Sequence, residues 1–174
     1  MIKAIIDKRG LKRIRREFRS DLSGSSRGPI RKSFHVMAKM YSSRMRRRFR
    51  NEGEGEWPAL KPSTIAGRRK GKGKGNSSAK TLRDTGLLLN GLTIGGPGNL
   101  FKDIKNGVVF GYSSARHGAD SVSYLDLAVW HSEGKGNLPV RAIIVAPDAA
   151  TQKRMMDAHK RGWQQALRKS QTNG

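Results

Sequence analysis

Six apolar side chains, Ile30, Phe34, Met37, Tyr41, Met45 and Phe49, recur at spacings of three and four residues along one stretch of the chain. That is the period of an α-helix with one buried face. The positions between them carry Arg31, Lys32, Lys39, Arg46, Arg47 and Arg50, so the other faces are cationic. Gly28-Pro29 precedes the stripe, and Pro29 suits a first helical turn, where its missing N–H is no loss. A helix from there to the break at Glu52-Gly53-Glu54-Gly55 would be about 30 Å long at a rise of about 1.5 Å per residue. A long helix that is apolar on one side only must bury that side against another layer, and the rest of the chain has to supply it.

The second half changes period. Leu100–Ile104 and Val108–Tyr112 flank Lys105-Asn106-Gly107, and Asn-Gly between apolar runs is a strong hairpin signal. Tyr124–Trp130 predicts a third strand. Leu138–Val145 predicts a fourth, with Pro139 restricting it to an edge or a strand start. Pro147-Asp148 opens a final helix with Met156, His159, Trp163 and Leu167 on one face. The expected fold class is therefore α+β: a small antiparallel β-sheet packed against a long basic N-terminal helix and a C-terminal helix, in a domain over residues 30–170 with a short tail at 171–174.

Two extensions accompany that domain. Residues 1–29 form a basic N-terminal arm in which Leu11, Ile14, Phe18 and Leu22 predict a short amphipathic helix, ended by the flexible run Ser23–Ser26. Residues 52–81 form a long basic loop. Within it Pro62-Ser63-Thr64-Ile65 can start one helical turn, with Lys61 or Pro62 near its N-terminus. The tract Arg68–Gly75, R-R-K-G-K-G-K-G, has no reason to hold a fixed structure in isolation. Thr81 or Asp84 is positioned to cap a short helix through Leu87, Leu88 and Leu89, which Gly91 weakens or ends.

Charge is the next constraint. The chain holds 36 Lys and Arg against 13 Asp and Glu, a net of +23. The first 83 residues hold 25 against 6, and the remaining residues 11 against 7. A field of that size opposes compaction unless an anionic partner, nucleic acid or an acidic protein surface, neutralises it. A hydrophobic fraction of 35% implies a modest core. With no cysteine, disulfides and thiolate metal sites are excluded. No apolar run approaches the roughly 20 residues that span a bilayer, and the opening Met-Ile-Lys-Ala-Ile-Ile is too short for a signal sequence, so a soluble intracellular protein without a membrane partner is expected.

Catalytic and cofactor chemistry find little support. His131-Ser132-Glu133 has the spacing of a zinc-deaminase motif but lacks the cysteine ligands that motif requires. The four histidines, His35, His117, His131 and His159, fall on separate predicted elements without metal-ligand spacing. Gly67–Gly75 imitates a phosphate loop by composition only, because Gly rather than Ser or Thr follows Lys72. Asp84 beside Thr85-Gly86 reads more simply as a cap or turn than as a catalytic acid. No enzyme, cofactor, metal or small-molecule substrate is expected.

What remains is a set of four short phrases in order: W-P-x-L-x-P-S-T at Trp57–Thr64, L-R-D-T-G-x-L at Leu82–Leu88, H-x-x-G at His131–Gly134 and L-P-V-R at Leu138–Arg141. They are turns, caps and a proline-fixed corner. In that order they resemble the virion morphogenesis, or tail-completion, family of tailed bacteriophages, over roughly residues 30 to 167. The chain departs from that family's pattern before His131, where Tyr124 lies further upstream, and after Arg141, where Ala142-Ile143-Ile144 replaces a proline and an aromatic. The resemblance implies a small sheet crossed by a long helix. It also implies a virion protein, made in the host cytoplasm, that completes the tail end and joins it to the head in the neck. The implied form is a sixfold ring of copies around the DNA channel, in contact with neck, connector, tail-tube or terminator proteins.

On that reading Arg44, Arg46, Arg47 and Arg48, together with Arg68, Arg69, Lys70, Lys72 and Lys74, are candidates for sequence-independent contact with DNA or with acidic faces of neighbouring proteins. Trp57, Pro58, Leu60 and Pro62 pair a large anchor with restricted backbone and are candidates for docking a loop, on the chain's own core or on a neighbouring subunit. Trp130, Pro139 and Arg141 are further docking candidates, with Asp126 or Glu133 as possible acids for Arg141. His131 is expected to hydrogen-bond nearby backbone. Two other readings stay open: a sequence-independent nucleic-acid-binding protein of the ribosomal or nucleoid type, and a terminator of the tail tube.

Overall fold

The structure, a computed structural model, describes residues 28–70, 79–104, 107–116 and 122–172, together with Lys12 and Arg16. The predicted arm helix around Leu11–Leu22, the Gly/Lys positions Lys72 and Lys74, the hairpin residues Lys105 and Asn106, and His117 lie outside the described residues. The fold is α+β. Helix α1 spans Pro29–Arg50 and is followed by a short 3-10 turn at Glu52–Gly55. Helices α2 (Pro62–Arg69) and α3 (Leu87–Gly91) come next, then the antiparallel pair β1 (Asn99–Ile104) and β2 (Gly107–Tyr112). Helices α4 (Tyr124–Glu133) and α5 (Ala149–Thr172) complete the order. No described helix is long and apolar enough to cross a membrane.

The described residues group into two compact units, each built on part of α1 and part of the hairpin. The first takes α1 up to Met40, residues Asp103–Val108 and the chain from Asp148 onward. In it α1 and α5 meet at a stripe of small residues. Ala158, Gly162 and Ala166 are buried, as are Thr151 on α5 and Ile30 and Ser33 on α1. Gly162 is there because nothing larger fits: a Cβ at this position would lie 2.7 Å from the Ser33 Cβ and 2.8 Å from the Pro29 carbonyl oxygen. Ser33 Oγ also pairs with His159 Nδ1 at 2.9 Å, and the Phe34 and His159 rings sit 4.9 Å apart. The nearly buried Arg31 donates from Nη1 to the carbonyls of Ile104 (2.6 Å) and Gly107 (3.1 Å), and lies 3.4 Å from the Asp103 carboxylate.

The expected apolar face of α5 is therefore corrected. Met156, Trp163 and Leu167 remain 50%, 38% and 39% exposed. Close helix approach favours the face with the least side chain, and the large apolar residues are left outside it.

The second unit comprises Tyr41–Lys102 and Val109–Pro147. Its core joins Met45 and Phe49 of α1 to Trp57, Leu82, Leu88, Leu92, Tyr112, Tyr124, Ala128 and Ile143. Buried hydroxyls are satisfied by carbonyls: Tyr112 Oη donates to Leu88 O at 2.7 Å, Ser42 Oγ to Leu92 O at 2.6 Å, and Tyr41 Oη to Val145 O at 2.7 Å. Helix α2 is longer than the single turn expected, eight residues with Lys61 as N-cap and Pro62 at its start. Helix α3 starts from Gly86 in a left-handed conformation, not from a Thr81 or Asp84 side chain.

Two strand expectations are overturned here. Tyr124–Trp130 is helix α4, because Ser123 accepts a hydrogen bond from the Asp126 N–H at 3.0 Å and Gly134, at φ 75°, closes the far end. Leu138–Val145 is not a strand either. Its backbone groups are taken by other partners: Arg141 N–H donates to His131 O at 2.8 Å, Ile143 N–H to Ser132 Oγ at 3.4 Å, and Ala142 O accepts from side chains. With those groups committed and Pro139 lacking an N–H, no ladder can form.

The α1–α5 contact gives a direct test. Gly162→Leu is expected to lower unfolding stability by about 1–3 kcal/mol through overpacking. Gly67→Ala in α2, where a Cβ meets nothing within 4 Å, should raise it by up to about 1 kcal/mol. Urea denaturation of both variants checks the pair.

Candidate docking groove

The four sequence phrases meet in the second unit: hydrogen bonds join the first, third and fourth, and the second borders the same groove, where Arg68, beyond the end of the first phrase, reaches Asp84. Trp57 is 7% exposed, stands edge-on to Phe49 at 5.1 Å, and donates its indole N–H to Ala142 O at 3.0 Å. The first phrase is thus anchored on the core of its own chain. The next residue, Pro58, presents its carbonyl to Arg141, which donates from Nε at 3.1 Å and Nη2 at 2.8 Å. Arg141 in turn donates its own N–H to His131 O. Gly134 closes that helix in a conformation only glycine takes easily, and a Cβ there would meet Val140 Cγ2 at 2.8 Å. On the other side, α2 carries Arg68 to within 3.6 Å of Asp84, and Arg68 also donates to Lys80 O at 3.1 Å.

Between these phrases lies a groove of about 860 Å³. Its walls include Pro58, Leu60 and Thr64 of the first phrase, Leu82, Asp84, Leu87 and Leu88 of the second, His131 of the third, and Leu138, Pro139 and Arg141 of the fourth. Lys61, Arg68, Leu127 and Asn137 complete the lining that matters chemically. It is an apolar trough with three cations and one acid, a composition typical of binding sites.

The electrostatics are uneven. Arg141 is 4% exposed and, among the described residues, meets no carboxylate. Burial, and then the like charge of Arg68, lower its proton affinity. Burial, and then the charge of Arg141, likewise push the His131 imidazole below its usual range. His131 Nδ1 is enclosed without a hydrogen-bond partner among the described residues, and so is Asp84 Oδ1, apart from its ion pair with Arg68. Among the described residues no group of three His, Asp or Glu is placed to hold a metal ion.

The basic candidates divide. Arg46, Arg47, Arg69 and Lys70 are exposed. Arg44 is engaged by Glu54 through a two-pronged ion pair. Arg48 is turned fully inward at 2% exposure: it donates to Ala142 O at 3.3 Å from Nε, pairs with Glu56, and lies 5.7 Å from the centre of the Trp57 ring. Its expected role in external contact is corrected to a structural one. The helix period carries the signal for this, since Arg48 follows Met45 by three residues on the buried side. Arg68 faces the groove. Trp130 is half-buried, with Lys135 Nζ 4.1 Å from its ring centre, and Pro62 is exposed in the first turn of α2. Arg141 takes a carbonyl in place of the expected Asp126 or Glu133. Neither that choice nor the Arg68–Asp84 pair has a signal in the sequence.

Arg48→Ala is expected to cost about 2–3 kcal/mol, because it strips hydrogen bonds from a part-buried carbonyl and packing from Trp57. Arg46→Ala and Arg47→Ala should each stay within about 0.5 kcal/mol, and urea midpoints separate the two classes. The lowered His131 affinity also sets a pH dependence. Above 6.5, the ordinary value, the imidazole is neutral in both states and stability is full. As pH falls below it the unfolded chain takes the proton first, so stability drops. Thermal melts from pH 7.5 to 5 should show a shallower decline for His131→Gln than for the parent. Compared with protein-family models, curated proteins and solved structures, the chain matches none.

Proposed function

We propose that this chain is a non-catalytic assembly protein of tailed-phage virions, of the tail-completion kind, which closes the tail end and joins it to the head as a ring of copies around the DNA channel. The observation that carries this reading is the meeting of the four phrases. They are scattered over residues 57 to 141, yet all four border one apolar groove, the first, third and fourth tied by carbonyl–guanidinium and backbone hydrogen bonds and the second facing them across it. The groove has the make-up of a docking trough, in which a partner segment is gripped without being transformed. The partners would be neck, connector or tail-tube proteins.

The outward cations, Arg46, Arg47, Arg69 and Lys70, would meet packaged DNA or acidic neighbouring surfaces without reading sequence. They also favour a second reading, a nucleic-acid-binding protein of the ribosomal or nucleoid type. Against that reading, Arg44, Arg48 and Arg68 are engaged within the fold, which reduces the cationic face.

Native mass spectrometry of nuclease-treated protein over a salt series tests the two. Closed oligomers of one size that survive high salt are expected. Monomer at every salt, with DNA binding that weakens steeply as salt rises and is reduced in Arg46→Ala/Arg47→Ala, would replace the assembly reading by the nucleic-acid one.

A further inference from the structure

The chemistry of the groove narrows what can occupy it. Arg141 is the most buried cation in its lining, and its only side-chain acceptor among the described residues is the Pro58 carbonyl. That carbonyl takes one edge of the guanidinium, Nε and Nη2. The end-on edge, Nη1 with the second hydrogen of Nη2, has no acceptor among the described residues. It is the edge that accepts a carboxylate with two parallel bonds. A guanidinium held this deep beside a second one, Arg68, is under-compensated, because a neutral carbonyl offsets less of its desolvation than an anion does. Asp84 does not supply the missing charge, since Arg68 is its ion-pair partner. Lys61 at the rim adds a further positive charge. The rest of the wall is apolar: Leu60, Leu87, Leu138 and Pro139.

We infer that the groove binds an extended segment of a partner protein that inserts one acidic side chain onto Arg141 and lays apolar neighbours along the leucine and proline walls. The inference rests on the docking reading above and deepens it by naming the ligand chemistry. Charge complementarity selects an acidic segment. The chain's own arm, residues 1–29, is net basic and would bring further cations beside Arg141 and Arg68, which favours a separate acidic segment. A DNA phosphate is a poor fit, since a duplex backbone reaches exposed cations and not a guanidinium 4% exposed between leucines. A small free acid would satisfy Arg141 but leave the apolar walls wet.

The test uses the full chain, fluorescently labelled, on an array of nonapeptides with a central glutamate and varied apolar neighbours. Each peptide has a twin with glutamine in place of the glutamate, and the binders are titrated by fluorescence anisotropy at salt high enough to screen surface charge. The glutamate member of each binding pair should be at least about ten-fold tighter than its twin. Arg141→Gln should abolish that preference. Leu138→Asp, a change on an exposed wall residue, costs both twins an apolar contact but sets a carboxylate in the groove with Arg141, so it should weaken glutamate peptides more than their twins; it keeps the test decisive if Arg141→Gln does not fold. Lys39→Gln, an equal charge loss on the exposed side of α1, should change nothing.

The inference is overturned if no array member binds, if twins bind equally, or if Lys39→Gln reduces the preference as much as Arg141→Gln. It is also overturned if duplex DNA or N-acetylglutamate displaces the peptides at matched concentration. Peptide binding does not depend on ring closure, so a groove that binds acidic peptides in a chain that forms no ring leaves this inference standing and removes the ring. A ring that binds no peptide does the reverse.

Discussion

One carbonyl oxygen, that of Ala142, receives both the indole N–H of Trp57 and the guanidinium of Arg48. Most of the second unit depends on this junction. It ties the last turns of α1 to the loop that begins the first phrase and to the irregular segment that carries the fourth. Phe49 and the Trp57 ring fill the space behind it. Because two donors compete for the Ala142 carbonyl, the 138–145 segment is held by side chains and not by a strand ladder. That leaves Pro58 and Arg141 facing each other, and their hydrogen bonds form one side of the groove.

The same junction explains how a chain of net charge +23 can hold a compact core. Several of its arginines serve as internal donors. Arg31 and Arg48 are buried against main-chain carbonyls and nearby carboxylates, and Arg141 against a carbonyl. The planar guanidinium suits this use, since its five N–H groups can satisfy several carbonyls at once along a segment that has no sheet partner. Among the described residues the charge that remains outside includes Arg46-Arg47 and Arg69-Lys70, and also Lys32, Lys39, Lys160 and Arg161. Any external anion meets that remainder.

Much of the architecture was legible from periodicity and punctuation. The stripe from Ile30 to Phe49 names α1 and its buried side, Pro29 marks its start, and Asp148 marks the start of α5, where its carboxylate accepts from the Thr151 N–H at 2.7 Å. Two strand expectations failed where local signals were ambiguous. Tyr124–Trp130 is a short apolar run, which helix and strand share, and the deciding features were the Ser123 cap and the Gly134 stop. The face of α5 was missed for a different reason: the spacing of Met156, His159, Trp163 and Leu167 does not show that Gly162 permits the closer approach to α1. Of the site, the phrases were legible as phrases. That they border one groove was not, although the helix period did carry the signal that Arg48, three residues after Met45, belongs inside.

What the sequence alone determined was part of the local layer and the composition: the starts of α1 and α5 and the hairpin strands, which depend on residues within a few positions of one another, together with the lack of thiols and the excess of cations. What only the tertiary structure decided was which donor meets which carbonyl. The contacts between Arg141 and Pro58, Trp57 and Ala142, and Arg31 and Gly107 each join residues more than 70 positions apart. A buried guanidinium takes whichever acceptor the fold leaves unpaired, and the chain acquires unpaired acceptors only once its segments have packed.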